Sequence, residues 1–309
     1  MTKNLTGILT DGFELWKKNL IMGVPPLLSM LVQFVLWFVV VIIMLFALLG
    51  GGIGAGLFSG DIENIDALIA SLGAAITVIL LVLLFAIIIT MLIGAFFTAG
   101  LIGMAKEAIE TGKTEFSTMI EVGKRKFISL FFANLIVAAI LLLPLIILGI
   151  IFLILMAMGY GSGIDSSNAD AVILSSFLLI FLIFMLWVVY AMILGIILAV
   201  VNYAVVISDT GAVEGVKAGF RFFMNHKPDV FSMWLMILCI SLVFGIVYSA
   251  IYMVFNFIPL IGGIFAFVWQ MIFYAFIAVV ITPLTALWWS FLYMDRKRET
   301  NNLTFNSNL

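Results

Sequence analysis

Charge is scarce in this chain of 309 residues. Asp, Glu, Lys and Arg make up 10% of it against 65% apolar residues, whereas soluble domains hold about a quarter charged and about half apolar residues. No soluble interior can absorb that excess, so the sequence reads as an integral membrane protein. Cysteine and histidine are scarcer still. The single Cys239 has no intramolecular disulfide partner, and the single His226 cannot build a metal or catalytic centre alone. The 16 carboxylates are dispersed over loops and flanking segments, while metal-assisted hydrolysis needs clustered ligands and nucleophilic catalysis needs a base beside the nucleophile. No enzymatic activity and no cofactor or metal site is therefore expected. A formal net charge of −2 leaves no basic footprint for nucleic acid.

Long stretches have no charge at all. Asp, Glu, Lys and Arg are absent from 19–60, 67–105, 127–164, 171–208 and 230–294, and a spanning helix needs about 20 apolar residues. The last stretch is too long for one helix, and Asn256-Phe257-Ile258-Pro259-Leu260-Ile261-Gly262-Gly263 marks a turn near its middle. The reading is an all-α membrane fold with six spans near 21–48, 73–101, 129–157, 172–201, 231–254 and 263–291. Lys17-Lys18 precede an uncharged run longer than the ~7–15-residue core of a cleavable signal, so the N-terminus is expected to be retained.

The loops between spans are unequal in basic residues. Lys3, Lys17 and Lys18 precede the first span; Lys106, Lys113, Lys124, Arg125 and Lys126 lie between the second and third; Lys217, Arg221 and Lys227 lie between the fourth and fifth; Arg296, Lys297 and Arg298 follow the sixth. The other three loops carry only Asp61, Glu63, Asp66, Asp165 and Asp170. Short loops rich in Lys and Arg stay cytoplasmic, which puts both termini on the cytoplasmic side of the membrane. The sequons at Asn4 and Asn302 then face inward, away from glycosylation.

The cytoplasmic segments carry a pattern that simple connectors would not need. Residues 5–18 set Leu5, Ile8, Leu9, Phe13 and Trp16 against Asp11, Glu14 and Lys18, with Lys17 beside them. Residues 116–127 set Phe116, Met119, Ile120, Gly123 and Phe127 against Glu121, Lys124 and Arg125, and Lys126 completes the elbow's basic run. Residues 211–224 set Val213, Val216, Phe220 and Phe223 against Glu214, Lys217 and Arg221. Spacings of three and four predict amphipathic helices, and a basic polar face with an aromatic apolar face suits an elbow lying in the membrane interface. Thr111-Gly112-Lys113-Thr114-Glu115 and Thr210-Gly211-Ala212-Val213-Glu214 match at three of five positions. The chain thus reads as three parallel hairpin repeats, 1–103, 104–208 and 209–298, each led by an elbow, with a polar tail over 299–309.

Three segments carry a family resemblance. Gly100-Leu101-Ile102-Gly103-Met104-Ala105-Lys106-Glu107-Ala108, the elbow Asp209 to Phe220, and the ending Pro283 to Arg298 resemble an often archaeal family of prokaryotic six-span proteins. That family is related to the membrane domain fused to some glycerophosphoryl diester phosphodiesterases. The resemblance implies an architecture and a lipid-related setting. It implies no phosphodiesterase chemistry, which belongs to a separate soluble domain with acidic and histidine metal ligands.

Polar groups inside the spans are few. Gln33, Asn134, Asn202 and Gln270 must find partners in hydrocarbon; they read as interhelical clamps, or as the lining of a cavity for a headgroup or polar solute. Cys239 reads as a small apolar filler and His226 as a solvated elbow terminus rather than a pH sensor. Gly94, Ala95, Ala99, Gly100 and Gly103 supply small-residue spacings for close helix approach. Without Asp, Glu, Lys, Arg or His in any span, an ion-coupled transporter is not expected. The sequence therefore points to a membrane scaffold, lipid-interacting module or accessory subunit, whose partners are membrane lipids and a membrane protein or second copy. The alternative is an uncoupled channel or carrier for an apolar or weakly polar solute.

Overall fold

A computed structural model describes residues 3–50, 65–161, 169–259 and 261–306. Among them the regular structure is helical, without a strand. The helices are α1 (Leu5–Lys18), α2 (Val24–Gly50), α3 (Ile65–Thr111), α4 (Phe116–Gly161), α5 (Ala169–Leu198), α6 (Val201–Ile207), α7 (Ala212–Asn225), α8 (Lys227–Asn256), α9 (Gly262–Phe276) and α10 (Thr282–Asn306). A tight 3-10 turn, Leu20–Gly23, leads into α2, and a π-helical turn, Ile277–Ile281, joins α9 to α10.

Six segments are long and apolar enough to cross a membrane: Leu20–Leu49, Gly73–Thr111, Phe116–Ile154, Phe177–Ile207, Lys227–Asn256 and Gly262–Glu299. They coincide with the six expected spans and overrun several of their ends. At 1.5 Å per residue the 47-residue α3 is about 70 Å long, more than twice the hydrocarbon thickness of about 30 Å. The overrun has a cause in the chain. No residue between 116 and 129 breaks a helix, so the expected separate elbow over 116–127 is instead the first turns of α4. By contrast, separate helices do occupy Leu5–Lys18 and Ala212–Asn225.

Helix ends follow local chemistry. Asn4 caps α1, its side-chain oxygen accepting the Gly7 N–H at 2.8 Å. α3 stops at Gly112, whose φ of +82° is the left-handed conformation glycine adopts without steric cost. α6 stops at Asp209, with φ 58°, and the Thr210 N–H returns to the Val205 carbonyl at 3.2 Å. The pentapeptides over 111–115 and 210–214 therefore differ in backbone. Gly112 ends a helix, while Gly211 is extended at φ −74° and ψ 176° and begins one.

The chain divides into two compact units, taken here over the described residues. The first comprises Thr10–Phe131 and Tyr248–Trp288; the second comprises Phe132–Val247 with the residues up to Leu9 and from Trp289 onward. In the first, Met22, Leu101, Met104, Ala108, Met119 and Leu287 form a buried cluster. In the second, Val200, Val201, Ala204, Val205, Val230 and Leu292 are almost fully buried. These residues belong to the span ends nearest the charged segments. Farther along, Phe46, Leu81, Phe85, Leu153, Phe177 and Ile246 are exposed, as lipid-facing side chains are, because apolar burial gains little where the solvent is itself hydrocarbon.

Small residues and two prolines set the close contacts. A Cβ at Gly100 would fall 2.7 Å from the Met119 carbonyl oxygen, and one at Gly103 would fall 2.7 Å from the Val122 side chain. Gly94 is different: a Cβ there meets nothing within 4 Å, so it takes no part in that seam. Pro144 lacks an N–H, which leaves the Ile140 carbonyl without its helical donor. The Tyr190 hydroxyl donates to it at 2.9 Å, and the Trp187 indole donates to the neighbouring Leu141 carbonyl at 2.9 Å. Pro283 frees the Val279 carbonyl in the same way. There the Trp16 indole N–H is the donor, at 3.3 Å.

Candidate functional site

The basic segments come first, because the sequence singles them out. Lys17 donates to Glu14 at 2.8 Å and lies 4.4 Å from the Phe13 ring centroid. The Lys17 hydrogen bond holds the Glu14 carboxyl below its ordinary range. Arg125 pairs with Glu121 one turn away at 3.6 Å. Exposed pairs of this kind are screened by solvent and salt and add little to stability. Lys18, Lys124, Lys217 and Arg221 are exposed as well.

Two of the singled-out residues turn inward. Lys126 is 7% exposed, because it follows Val122 by one turn on the packed face of α4. Trp16 is half-buried, its indole held by the Val279 carbonyl. Conversely, Phe13 in α1 and Val213 and Phe220 in α7 are exposed, while Gly12, Gly215, Gly219 and Phe222 form the packed faces of those helices. Glycine allows the helices to seat closely, so small residues share the inward faces with Phe222.

Asn19 and Glu107 organise the start of the first unit. Asn19 is 4% exposed at the junction between α1 and the turn before α2. Its amide donates to the Leu15 carbonyl at 2.9 Å and the Gly112 carbonyl at 3.2 Å, and its oxygen accepts the Thr114 N–H at 2.9 Å. The Glu107 carboxylate accepts the hydroxyls of Thr118 at 2.6 Å and Thr114 at 2.7 Å. Sequence reading passes over both. An uncharged amide two residues before a predicted span is the available signal for Asn19.

A second polar constellation belongs to the other unit. The Arg296 side chain is 9% exposed and its guanidinium holds both oxygens of Asp229, at 2.8 and 3.2 Å, and one oxygen of Asp295 at 2.6 Å. It also donates to the Lys3 carbonyl at 3.3 Å, and the Lys3 N–H donates to Asp295 at 3.1 Å. Lys297 donates to the Ser208 hydroxyl at 2.8 Å, which lies 2.6 Å from the Tyr293 hydroxyl. His226 adjoins this group, half-buried with its ring centroid 4.9 Å from that of Phe222, and is not the freely solvated terminus expected. Burial pushes its pKa down, against the opposing effect of Asp229.

The intramembrane amides do not act as interhelical clamps where their bonds are seen. Gln33 donates to Ser29 at 2.9 Å and Gln270 to the Tyr274 hydroxyl at 3.4 Å, each within its own helix. Asn134 and Asn202 are half-buried in the second unit. Cys239 is exposed on α8 and so fills no gap between helices. Bonds between helices come instead from tryptophan and tyrosine, as at Trp187, Tyr190 and Trp269, whose indole donates to the Tyr248 carbonyl at 3.4 Å.

Gln33 has a second setting. It lines a half-open crevice of about 290 Å³ within the first unit, together with Ser29, Thr98 and Thr282. A second hollow of about 340 Å³ shares Pro26, Met30 and Thr282 with it and is walled by Tyr274, Ile277 and Ala278. Gln270 reaches this second hollow indirectly, through Tyr274. Among the described residues, no carboxylate, lysine, arginine or histidine lines either hollow. Among the described residues there is also no group of three or more His, Cys, Asp or Glu side chains placed to hold a metal ion.

Comparison with known proteins adds one relationship. No curated protein and no solved structure matches the chain. Residues 87–292, about two thirds of the chain, match a domain of unknown function, DUF7847. That match brings no link to the glycerophosphoryl diester phosphodiesterase membrane domain. It runs from within the second apolar span into the sixth, taking in the Gly100–Gly103 seam, the Pro144 and Pro283 sites and the α6–α7 corner, and the chain accordingly belongs to the DUF7847 family.

Proposed function

We propose that this protein is a non-enzymatic, lipid-interacting membrane scaffold, held to the inner leaflet by basic and aromatic side chains on α1 and α7. One observation carries the reading. Phe13, Leu20 and Ile21 are exposed beside Lys17 and Lys18, and Val213, Phe220 and Met224 are exposed beside Lys217 and Arg221. In water such a mixture is costly, whereas at a membrane surface the apolar groups enter the acyl boundary and the cations meet anionic headgroups. The three-repeat division and the relationship to the phosphodiesterase membrane domain belong to this reading too, as the evolutionary setting in which repeated elbows would arise.

Orientation is part of the proposal. Both termini and all basic loops face the cytoplasm of a prokaryotic plasma membrane, in keeping with the charge distribution. A Lys113→Cys variant, at an exposed position, is expected to resist an impermeant thiol reagent in intact cells and to react after permeabilisation. Labelling of intact cells at that position reverses the assigned orientation.

Lipid content tests the function directly. Each basic residue near an anionic surface contributes about 1 kcal/mol, so replacing Lys17, Lys18, Lys217 and Arg221 together by glutamine is expected to lower co-purified anionic lipid per protein by at least fivefold. Mass spectrometry of gently solubilised protein measures it. An unchanged lipid ratio overturns the scaffold reading.

A further inference from the structure

Two neighbouring hollows of the first unit, which share Pro26, Met30 and Thr282 and are treated as two lobes, have a composition that selects among lipids. Its first lobe brings Ser29 and Gln33 of α2, Thr98 of α3 and Thr282 of α10 around one volume. Gln33 uses one amide hydrogen on the Ser29 oxygen, which leaves the amide carbonyl, a second amide hydrogen and the Ser29 hydroxyl hydrogen for another group. Thr282 donates its hydroxyl to the Ile277 carbonyl at 3.0 Å and keeps its lone pairs as acceptors. Donors and acceptors thus converge without a net charge.

The second lobe is almost wholly hydrocarbon. Met30, Ile277, Ala278 and the Tyr274 ring bound about 340 Å³, and Thr282 and Met30 belong to both lobes. Both volumes are close to the lower end of ligand pockets, about 300–1,000 Å³. An amphiphile with a small hydrogen-bonding head and a flexible chain matches the pair. A phosphate head does not, since a charge there would leave water without a counterion or a cationic donor.

The local backbone keeps the lobes open. Pro25 and Pro26 stand in the first turn of α2, where a missing N–H removes no helical hydrogen bond. Gly23 seats that helix start directly on the π-helical turn, since a Cβ there would fall 3.0 Å from the Val279 carbonyl oxygen. The same carbonyl is fixed by the Trp16 indole. π-helical turns recur at functional sites because they redirect the side chains that follow, and here the side chain that follows is Thr282.

We propose that this crevice is a binding site for an uncharged, hydroxyl-headed lipid, with its head among Ser29, Gln33, Thr98 and Thr282 and one chain in the lobe beyond Met30. The site is independent of the anionic-lipid contacts of α1 and α7, because among the described residues no basic side chain lines it. The probe is a diacylglycerol with a diazirine in its acyl chain, compared with the phosphatidic acid of the same chains, on the full-length protein in phosphatidylcholine vesicles. Diacylglycerol is expected to label peptides containing residues 26–33 and 274–282, and unlabelled diacylglycerol to compete it away. Ser29→Ala with Gln33→Leu is expected to reduce that labelling at least fivefold. Thr98→Val, nearly isosteric, is expected to reduce it by about half or more and serves where the double variant does not purify. The glutamine replacements on α1 and α7 are expected to leave it unchanged. Equal labelling of these peptides by phosphatidic acid, labelling confined to other segments, or undiminished labelling of the crevice variants overturns the proposal.

Discussion

Arg296→Met is expected to lower the stability of the detergent-solubilised protein by about 3 kcal/mol, at the lower end of the range for breaking a buried ion pair. Three guanidinium contacts at 2.6, 2.8 and 3.2 Å disappear, together with the bond to the Lys3 carbonyl. The penalty comes chiefly from what remains. Asp229 and Asp295 keep side-chain exposures of only 27% and 21%, so water solvates their charge incompletely once the arginine is gone. That residual exposure is also why the upper end of the range is not expected. Arg296→Lys should recover only part of the loss, because an ammonium cannot span both oxygens of Asp229 as the planar fork does. Thermal denaturation of the wild type, Arg296→Met, Asp229→Asn and the double variant separates these contributions. The double variant should be more stable than the sum of the two single losses predicts, since it removes a buried carboxylate charge along with its partner. Additive losses would mean that the guanidinium and Asp229 act independently despite their contact.

Gly219→Leu is expected to prevent stable assembly of the α6–α7 corner, and Gly219→Ala to destabilise it. The two effects of the alanine change oppose each other. Alanine gains about 0.8–1.0 kcal/mol over glycine in a helix interior. Its Cβ, however, would stand 2.9 Å from the Val201 Cα and 3.1 Å from the Val201 nitrogen, and neither backbone atom can rotate away. Overpacking costs about 1–3 kcal/mol, so the clash is expected to win. One turn earlier Gly215 meets Val205 in the same way, making two successive rungs. Gly245→Ala is the internal control, because a Cβ there meets nothing within 4 Å. It is expected to be neutral or to raise the melting temperature by a few degrees. A Gly219→Ala protein as stable as Gly245→Ala would remove the close-packing explanation of this corner.

Much of the architecture is legible in the sequence. The six spans follow from uncharged runs longer than a bilayer requires, and the helices at 5–18 and 212–225 follow from apolar spacings of three and four. Both signals are local. Inward faces were harder to read, since periodicity identifies an apolar face but does not say whether lipid or protein covers it. Phe13 and Phe220 are exposed, while Gly12 and Gly219 are packed, because close helix contact favours the residue without a side chain. The proline sites contained an unused signal: Pro144 and Pro283 leave carbonyls at 140 and 279 in need of donors, and Tyr190 and Trp16 supply them from distant positions.

Asn19 and Arg296 were not legible in this way. Asn19 meets Gly112 and Thr114 across more than 90 residues, and Arg296 meets Asp229 across 67. Nothing in their own neighbourhoods names those partners. The sequence alone determined that the chain is an all-helical, six-span membrane protein with its cations segregated into alternate loops, because hydropathy and charge act residue by residue on transfer from water to lipid. Only the tertiary structure decided which polar groups converge, because hydrogen bonds and packing reach only a few ångströms and depend on which helices the fold brings within that distance.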